Sequence, residues 1–317
     1  MASFSEIQFS SFASLPYHIQ EHIVDLIDHY ATYLALAVAS KYLSELCVRS
    51  LYQTVEFGQS DSEKQCWPGI RGATKPRHIR FPQNTYSQTL TSKPELAIFT
   101  QHISWDISDD WSWHLATGLS ISQLWSTFEH LSVVRTLNLR VNVSSQTLRP
   151  PNPLFPQLVR ARVQGTFPQH ALEQFLLTSP YIRHLAIAPS TREYLHHPGE
   201  PYAYGTSIEP FLRTCVSKNA FRYLRTLEIG LDSNTDPELA TQFIEMSAEW
   251  ITELRIEYDF GDSLRAFEKR VVPMLKSRRW RNLIKLELPK IAIPKEPIPL
   301  VRAYCPTLIS IGTGSCI

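Results

Sequence analysis

The chain has 317 residues, and its 31 Lys and Arg nearly balance its 30 Asp and Glu, for a net charge of +1 at pH 7. This balance argues against a dedicated nucleic-acid-binding protein, because contacts to phosphates require a basic excess. A hydrophobic content of 43% excludes a wholly disordered chain. The absence of an apolar run of 18 residues argues against a membrane-spanning protein.

The first residues and the cysteines both favour a reducing compartment. Residues 1–14 have no basic stretch followed by an apolar one, so they do not resemble a secretory signal, and we expect them to be flexible. The cysteines are odd in number and form no Cys-x-x-Cys pair, so free thiols are expected. They are Cys47, Cys66, Cys215, Cys305 and Cys316. We therefore expect the protein in the cytoplasm, the nucleus or both.

Residues 15–57 predict three short helices that share a small core. Pro16 stands at a helix start, where its missing N–H would be unpaired in any case. An apolar stripe of about four turns follows it. Its members are Ile19, Ile23, Leu26, Ile27 and Tyr30. A second helix is predicted at 34–39, and Ser40 is a suitable cap for a third. The residues expected to point inward from the third helix are Leu43, Leu46, Cys47 and Leu51.

The apolar and small residues of this stretch have a recognisable spacing. They are Leu15-Pro16 at its start, the Ile19/Ile23/Leu26 stripe, the Leu36-Ala37-x-x-Ser40-Lys41 step and Leu51-Tyr52 at its end. This pattern resembles an F-box, especially the versions abundant in filamentous fungi. The resemblance implies docking to a Skp-type adaptor and, through it, to a cullin. The residues it places in that contact are Leu15, Pro16, Ile19, Ile23, Leu36 and Leu43. The alternative is an ordinary three-helix start to a larger domain.

After a linker at 58–74, a short pattern recurs through residues 75–317. It reads apolar-x-x-apolar-x-apolar-x-x-small-polar, and its alternation is typical of a strand of about three to five residues. Its nine central residues lie 24 to 42 residues apart. They are Ile79, Ile103, Leu137, Ala161, Leu185, Leu227, Leu254, Leu286 and Ile311.

The last position of the pattern is small and able to hydrogen-bond in eight of the nine copies. These positions are Asn84, Ser108, Asn142, Thr166, Ser190, Asp232, Asp259, Ile291 and Cys316. Together with the recurrence, they make the region resemble an irregular leucine-rich-repeat array. Helices are predicted between copies, at 168–180, from Asp236-Pro237 onward and at 263–277. The resulting expectation is an α/β solenoid with parallel strands on a concave face and helices on the convex face.

Residues that alternate with the apolar ones are expected to point into the concave face. We interpret this face as a binding surface for a protein substrate that remains unidentified, with an acidic segment steered to Arg140, Arg160 and Arg162. The alternative is a solvated sheet face. The predicted substrate-binding residues are His78, Arg80, Arg140, Arg160, Arg162, His184, Glu228, Glu253, Arg255, Glu257 and Lys285.

Histidine pairs raise a separate question, that of a metal site. His18-x-x-Glu21-His22 has the spacing of a zinc-protease helix, but these residues occupy the polar side of an amphipathic helix. His196-His197 lies in an aromatic loop at 194–208. No Gly-x-Ser-x-Gly or phosphate-binding glycine motif is present. We therefore expect no metal, no cofactor and no catalytic residues.

The F-box resemblance implies a function. It predicts a non-catalytic, substrate-recognition adaptor of a Skp–cullin–F-box ubiquitin ligase, with no nucleic-acid or membrane partner. Two alternatives remain. One is a leucine-rich-repeat interaction scaffold without a ubiquitin-ligase role, and the more remote one is a metal-dependent hydrolase with its site at 190–210.

Overall fold

The computed structural model of the protein describes most of the chain. The described residues are 12–27, 30–57, 83–108, 121–142, 154–166, 172–189, 208–231, 235–258, 267–278, 280–288 and 298–312. Outside this part lie the predicted linker at 58–74, residues 194–207 of the aromatic loop, and His78, Ile79 and Arg80.

Three helices open the described chain. After a 3₁₀ turn at Phe12–Ser14 come α1 (Tyr17–Asp25), α2 (Tyr30–Ala39) and α3 (Lys41–Gln53). As predicted, Ser40 caps α3, since its hydroxyl accepts a hydrogen bond from the N–H of Leu43 at 3.1 Å. We call these three helices the module. The module has a core of its own, made by Val24, Tyr33, Leu46, Cys47 and Leu51.

The residues that α1 buries are Val24, which belongs to the module core, and the polar Gln20. Gln20 is 2% exposed and donates from Nε2 to a backbone carbonyl before the helix at 2.6 Å. Glu21 pairs with Arg49 of α3 at 3.5 Å. The predicted apolar stripe therefore lies mainly outside the module core, with Ile27 packed against that core. Its exposed members are Ile19, Ile23 and Leu26.

In the part of the chain that the structure describes, nine parallel strands form one sheet whose strand order equals the chain order. They are β1 (Thr54–Phe57), β2 (His102–Ser108), β3 (Thr136–Asn142), β4 (Arg160–Thr166), β5 (His184–Pro189), β6 (Thr226–Leu231), β7 (Glu253–Tyr258), β8 (Lys285–Glu287) and β9 (Ser310–Gly312). Each strand pairs with its neighbours in the chain. This topology is compatible with a solenoid-like α/β fold.

The register of the sheet confirms the predicted repeat over eight of its nine copies. One row across the sheet contains Ile103, Leu137, Ala161, Leu185, Leu227, Leu254, Leu286 and Ile311. At the start of the row, the partner of Ile103 is Val55 of β1. The sequence pattern therefore predicted which residues of neighbouring strands lie side by side, although the segments between the strands differ greatly in length.

The start of the sheet differs from the prediction. β1 follows α3 directly and lies inside the range predicted for the helical module. The hydrogen-bond ladder between β1 and β2 begins one residue before the two strands, where the N–H of Gln101 donates to the carbonyl of Gln53 at 2.9 Å. Asn84, expected just after a strand, is instead part of a helix, α4 (Gln83–Ser92). Ser108, Asn142 and Thr166 do end their strands and lie in register.

The connections between strands carry helices that cover one face of the sheet. They are α4, a 3₁₀ helix at Pro94–Phe99, α5 (Ile121–Glu129), a π-helical turn at Glu173–Leu177, α6 (Glu209–Ser217), α7 (Pro237–Glu245), a π-helical turn at Phe267–Val271, α8 (Val272–Ser277) and α9 (Ile298–Tyr304). Asp236 caps α7 as predicted, accepting from the N–H of Glu238 at 2.9 Å. Within the described residues, no helix has the length and hydropathy needed to cross a membrane.

An aromatic cluster fills the space between the sheet and its helices. Trp105 of β2 packs edge-on against Trp125 and Phe128 of α5, with centroid distances of 5.7 and 4.8 Å. Both tryptophans are buried, so this pair belongs to the core.

The module and the sheet are joined through Tyr52, at the end of α3. Its ring packs against both cores and lies 6.1 Å from the ring of Tyr86 of α4. Its carbonyl accepts a hydrogen bond from the Thr100 hydroxyl at 2.9 Å. The module is thus attached to the first strand by packing as well as by the chain.

Candidate functional site

The module exposes apolar side chains on two of its helices. On α1, Ile19 and Ile23 are each 38% exposed and Leu26 is 65% exposed. On α2, Leu34 and Val38 are 40% and 83% exposed. We call the first three the α1 stripe. Exposed apolar side chains at helical spacing are typical of a helix face that meets a partner.

The residues predicted to contact an adaptor divide into two groups. Pro16, Ile19 and Ile23 are exposed, whereas Leu15 is half-buried. Leu36 and Leu43 are also half-buried and pack against the module core. The exposed residues of the predicted contact therefore lie in α1 or at its start, and the predicted contact left out Leu26, the most exposed member of the α1 stripe.

The open face of the sheet carries the polar residues predicted for a binding surface. One row across β2 to β8 contains His102, Thr136, Arg160, His184, Thr226, Glu253 and Lys285. The next polar row contains Ser104, Asn138, Arg162, Ala186, Glu228, Arg255 and Glu287. Two of the remaining predicted residues, Arg140 and Glu257, lie one step further along β3 and β7.

Several of these charges are already bonded to one another. The Glu228 carboxylate accepts a hydrogen bond from Arg162 Nη2 at 3.3 Å and lies 3.7 Å from Arg255 Nε. On the far side, Arg255 Nη1 lies 3.5 Å from the Glu287 carboxylate, and Lys285 Nζ is 2.5 Å from its other oxygen. We call these five residues the ion network.

The small side chain of Ala186 makes part of the ion network possible. Arg162 is on β4 and Glu228 is on β6, so two strand spacings of about 4.8 Å separate their backbones. Ala186 stands between them in the row. Because Ala has only a methyl group, the guanidinium of Arg162 can extend across β5. Burial lowers the pKa of Arg162, and the Glu228 charge opposes that shift.

The ion network pairs some of the charges predicted for the binding surface with one another. Arg162 and Arg255 were expected to face a partner, but they are largely buried and form ion pairs with glutamates of the same sheet. The basic charge left for a partner therefore shifts toward Arg160, which is exposed on β4.

Arg160 lies between two histidines of the same row across the sheet. His102 on β2 and His184 on β5 are half-buried, and burial is the main cause that lowers the pKa of each. The second cause is the charge of Arg160 in both cases. The Nδ1 atom of His184 is 3.0 Å from the Thr226 hydroxyl. Both imidazoles are therefore held toward the neutral form.

Three further arginines were missed by the sequence interpretation. Arg135, Arg183 and Arg225 each stand immediately before a strand, at the edge where the strands begin. The charge of Arg135 acts on His102, and that of Arg225 on His184. A signal was present, because the three copies that begin VRTL, IRHL and LRTL all carry arginine at their second position.

Within the described residues, no three His, Cys, Asp or Glu side chains lie close enough together to hold a metal ion. In the zinc-protease-like spacing on α1, Glu21 is engaged by Arg49. His196 and His197, and the 190–207 part of the loop proposed for a hydrolase site, lie outside the described residues.

Comparisons with known proteins show little similarity. No protein-family model matches the chain, and no curated protein matches it. A crystal structure of a Bacteroides fragilis protein from the Northeast Structural Genomics Consortium is similar at a TM-score of 0.42 and 12% identity. The match covers 74% of this chain and 63% of that one, so the chain spans less than two thirds of its length.

Proposed function

We propose that the protein is the substrate-recognition adaptor of a Skp–cullin–F-box type of ubiquitin ligase, acting in the cytoplasm or nucleus. In this proposal the module is an F-box that docks a Skp-type adaptor, and the sheet belongs to an irregular leucine-rich-repeat array that holds a protein substrate. The observation that carries the proposal is the exposed α1 stripe, which lies where the F-box resemblance puts the adaptor contact.

The α1 stripe is large enough to matter energetically. Complete burial of an Ile or Leu side chain contributes about 1.5–3 kcal/mol. The exposed fractions of Ile19, Ile23 and Leu26 are 38%, 38% and 65%. Covering them would therefore contribute about 2–4 kcal/mol to docking, equivalent to roughly 30-fold to 1,000-fold in affinity. In the isolated chain this gain is unused.

The function would need no catalytic group on this chain. A substrate bound by the sheet and a ubiquitin-charged enzyme bound through the cullin would be held in one assembly. Tethering raises the effective concentration of the substrate lysine near the charged enzyme. The chain would act by positioning alone.

Co-purification of the full chain with a recombinant Skp-type adaptor tests the proposal. The test variant is Ile23→Asp/Leu26→Asp, because a carboxylate in an apolar contact is strongly penalised by desolvation. The matched control is Ile98→Asp/Ile309→Asp, two residues outside the module that are 60% and 78% exposed. We expect the wild type and the control to capture the adaptor and the α1 variant to lose it. Far-ultraviolet circular dichroism and a thermal melt check that each variant is folded.

The second candidate is a repeat scaffold without a ubiquitin-ligase role. It is favoured by the direct passage of α3 into β1 and by the packing of Tyr52 on both cores, because a helical cap on a solenoid would have the same features. If the wild-type chain does not bind the adaptor, the scaffold replaces the ligase proposal.

A further inference from the structure

A basic surface lies along the edge of the sheet where the strands begin. Of the predicted substrate-binding residues, only Arg160 belongs to it. Successive backbone hydrogen bonds place Arg135, Arg183 and Arg225 along this edge. The N–H of Arg225 donates to the carbonyl of Arg183 at 2.7 Å, and the N–H of Val159 donates to that of Arg135 at 2.8 Å. Arg160 begins β4 between them. These four arginines therefore follow one another along four neighbouring strands, β3 to β6.

Most of this positive charge is not neutralised. Among the residues that the structure describes, none forms an ion pair with Arg135, Arg160 or Arg225, and all three are exposed. This contrasts with Arg162 and Arg255, which lie in the same sheet but belong to the ion network. Burial is the main cause of the lowered pKa of His102 and of His184, and the charges of the three exposed arginines add to it.

Aromatic side chains border the basic residues on the β6 and β7 side. The Tyr223 ring has the guanidinium of Arg183 at 5.4 Å and that of Arg222 at 4.5 Å from its centre. Trp250 packs edge-on against Tyr223, with 5.5 Å between the ring centres. The two aromatic residues remain 37% and 48% exposed. Amphipathic rings beside arginines are typical of protein interfaces.

The size of this surface limits what it can bind. Three strand spacings of about 4.8 Å separate Arg135 from Arg225, so the basic row is about 14 Å long. An extended peptide covers that length with four or five residues at about 3.3 Å each. A duplex nucleic acid would extend beyond it, toward Glu253 on β7 and the glutamates of the ion network, which would repel phosphates. A net charge of +1 also disfavours nucleic acid.

We infer that this edge, formed by Arg135, Arg160, Arg183, Arg225, Tyr223 and Trp250, binds a short acidic peptide segment with an apolar residue at one end. The acidic side chains meet the arginines, and the apolar residue lies against Tyr223 and Trp250. The inference deepens the proposed function by naming the class of substrate segment, and it rests on that function only in calling the peptide a substrate. The binding surface itself needs no adaptor.

The test is a fluorescence-anisotropy titration of the full chain with a labelled peptide of five acidic residues followed by Leu-Trp. Its matched control peptide has the corresponding amides in place of the carboxylates. The test variant is Arg160→Gln/Arg225→Gln. The control variant, Lys276→Gln/Arg302→Gln, removes the same charge from exposed positions on α8 and α9. In further titrations, single-stranded DNA and vesicles of anionic lipid compete with the labelled peptide for the protein.

We expect the acidic peptide to bind and the amide peptide not to bind. The test variant lacks two arginine charges that would pair with carboxylates of the peptide, so its affinity for the acidic peptide should fall by about twofold to thirtyfold. The control variant should bind the peptide like the wild type. Equal binding of both peptides, equal binding by both variants, or tighter binding of DNA or vesicles would overturn the inference. Because no adaptor is present, failure here is distinguishable from failure of adaptor capture, which is measured on the module variants.

Discussion

The ion network allows one prediction to be worked out in detail, for the change Glu228→Gln. This substitution keeps the shape of the side chain and an acceptor oxygen, but it removes the negative charge that lies between Arg162 and Arg255. The distances are 3.3 and 3.7 Å, and the three side chains are only 15%, 20% and 23% exposed. Two guanidinium groups would then face each other across an uncharged amide.

The expected loss in the free energy of unfolding lies between the loss for an ion pair on the surface and the loss for a fully buried ion pair. A surface ion pair contributes about 0–1 kcal/mol, and breaking a buried one costs about 3–5 kcal/mol. Hydrogen bonds to charged groups contribute about 1.5–3 kcal/mol. With partial exposure, we expect a loss of about 1.5–3 kcal/mol in the free energy of unfolding. An unfolding entropy of about 2.1 cal/mol/K per residue converts this to a fall of roughly 2–4 °C in Tm.

Thermal unfolding followed by circular dichroism at 0.1 M salt measures the effect. The matched control is Glu253→Gln on β7, because Glu253 is exposed and has no ion pair among the described residues. We expect the control to stay within about 0.5 kcal/mol of the wild type. A double-mutant cycle with Arg162→Met then isolates the coupling of the two residues, and we expect about 1–2 kcal/mol for it.

A Tm equal to the wild type in Glu228→Gln, with no coupling in the cycle, would refute this reasoning. It would mean that water screens the charges of the ion network as strongly as it screens charges on an open surface. The same variant offers a second readout, because removing the glutamate frees positive charge near Arg160. Binding of the acidic peptide should therefore become tighter in Glu228→Gln.

The remaining predictions concern a helix cap, a histidine and two thiols. Ser40→Ala should cost about 1 kcal/mol in a urea unfolding series, and an unchanged midpoint would show that the α3 cap is replaced by water. The pKa of His184 is below its ordinary value in the fold, so the unfolded chain binds more protons and stability should fall as the pH drops through 6.5. His184→Gln should reduce the difference in Tm between pH 7.5 and 5.5, and an equal difference would contradict this. Burial raises the pKa of the Cys305 thiol to about 11 and that of Cys215 further, so neither should react with iodoacetamide at pH 8 until the chain unfolds. Mass spectrometry of native and urea-treated protein checks this, and labelling of either thiol in the native protein would refute it.

Much of the fold could be predicted because its determinants are local. The strand register follows from an apolar alternation that each copy carries by itself, and the caps of α3 and α7 follow from Ser40 and Asp236. The first strand was missed since Thr54–Phe57 directly continues a helix and lacks the full pattern. The sequence interpretation instead counted the segment around Ile79 and Asn84 as the first strand copy, although Asn84 belongs to α4.

The candidate sites could be predicted less well, because they depend on which face of an element is covered. On α1 the periodicity identified the apolar stripe but not its orientation. Gln20 is held by hydrogen bonds to backbone carbonyls before the helix, and Glu21 forms an ion pair with Arg49 of α3. Only the packing of the helices showed that the stripe stays exposed.

The sequence by itself determined the α/β composition, the repeating strands and their register. These depend on short-range periodicity, which is written in consecutive residues. The tertiary structure alone decided which charges are satisfied and which are free. Arg162 and Glu228 are 66 residues apart in the chain, and they meet because parallel strands stack side by side with Ala186 between them. Arg160, two residues from Arg162, stays exposed because no carboxylate of the described residues lies within reach. Neighbours in sequence thus have opposite roles, since electrostatic pairing depends on distance in space.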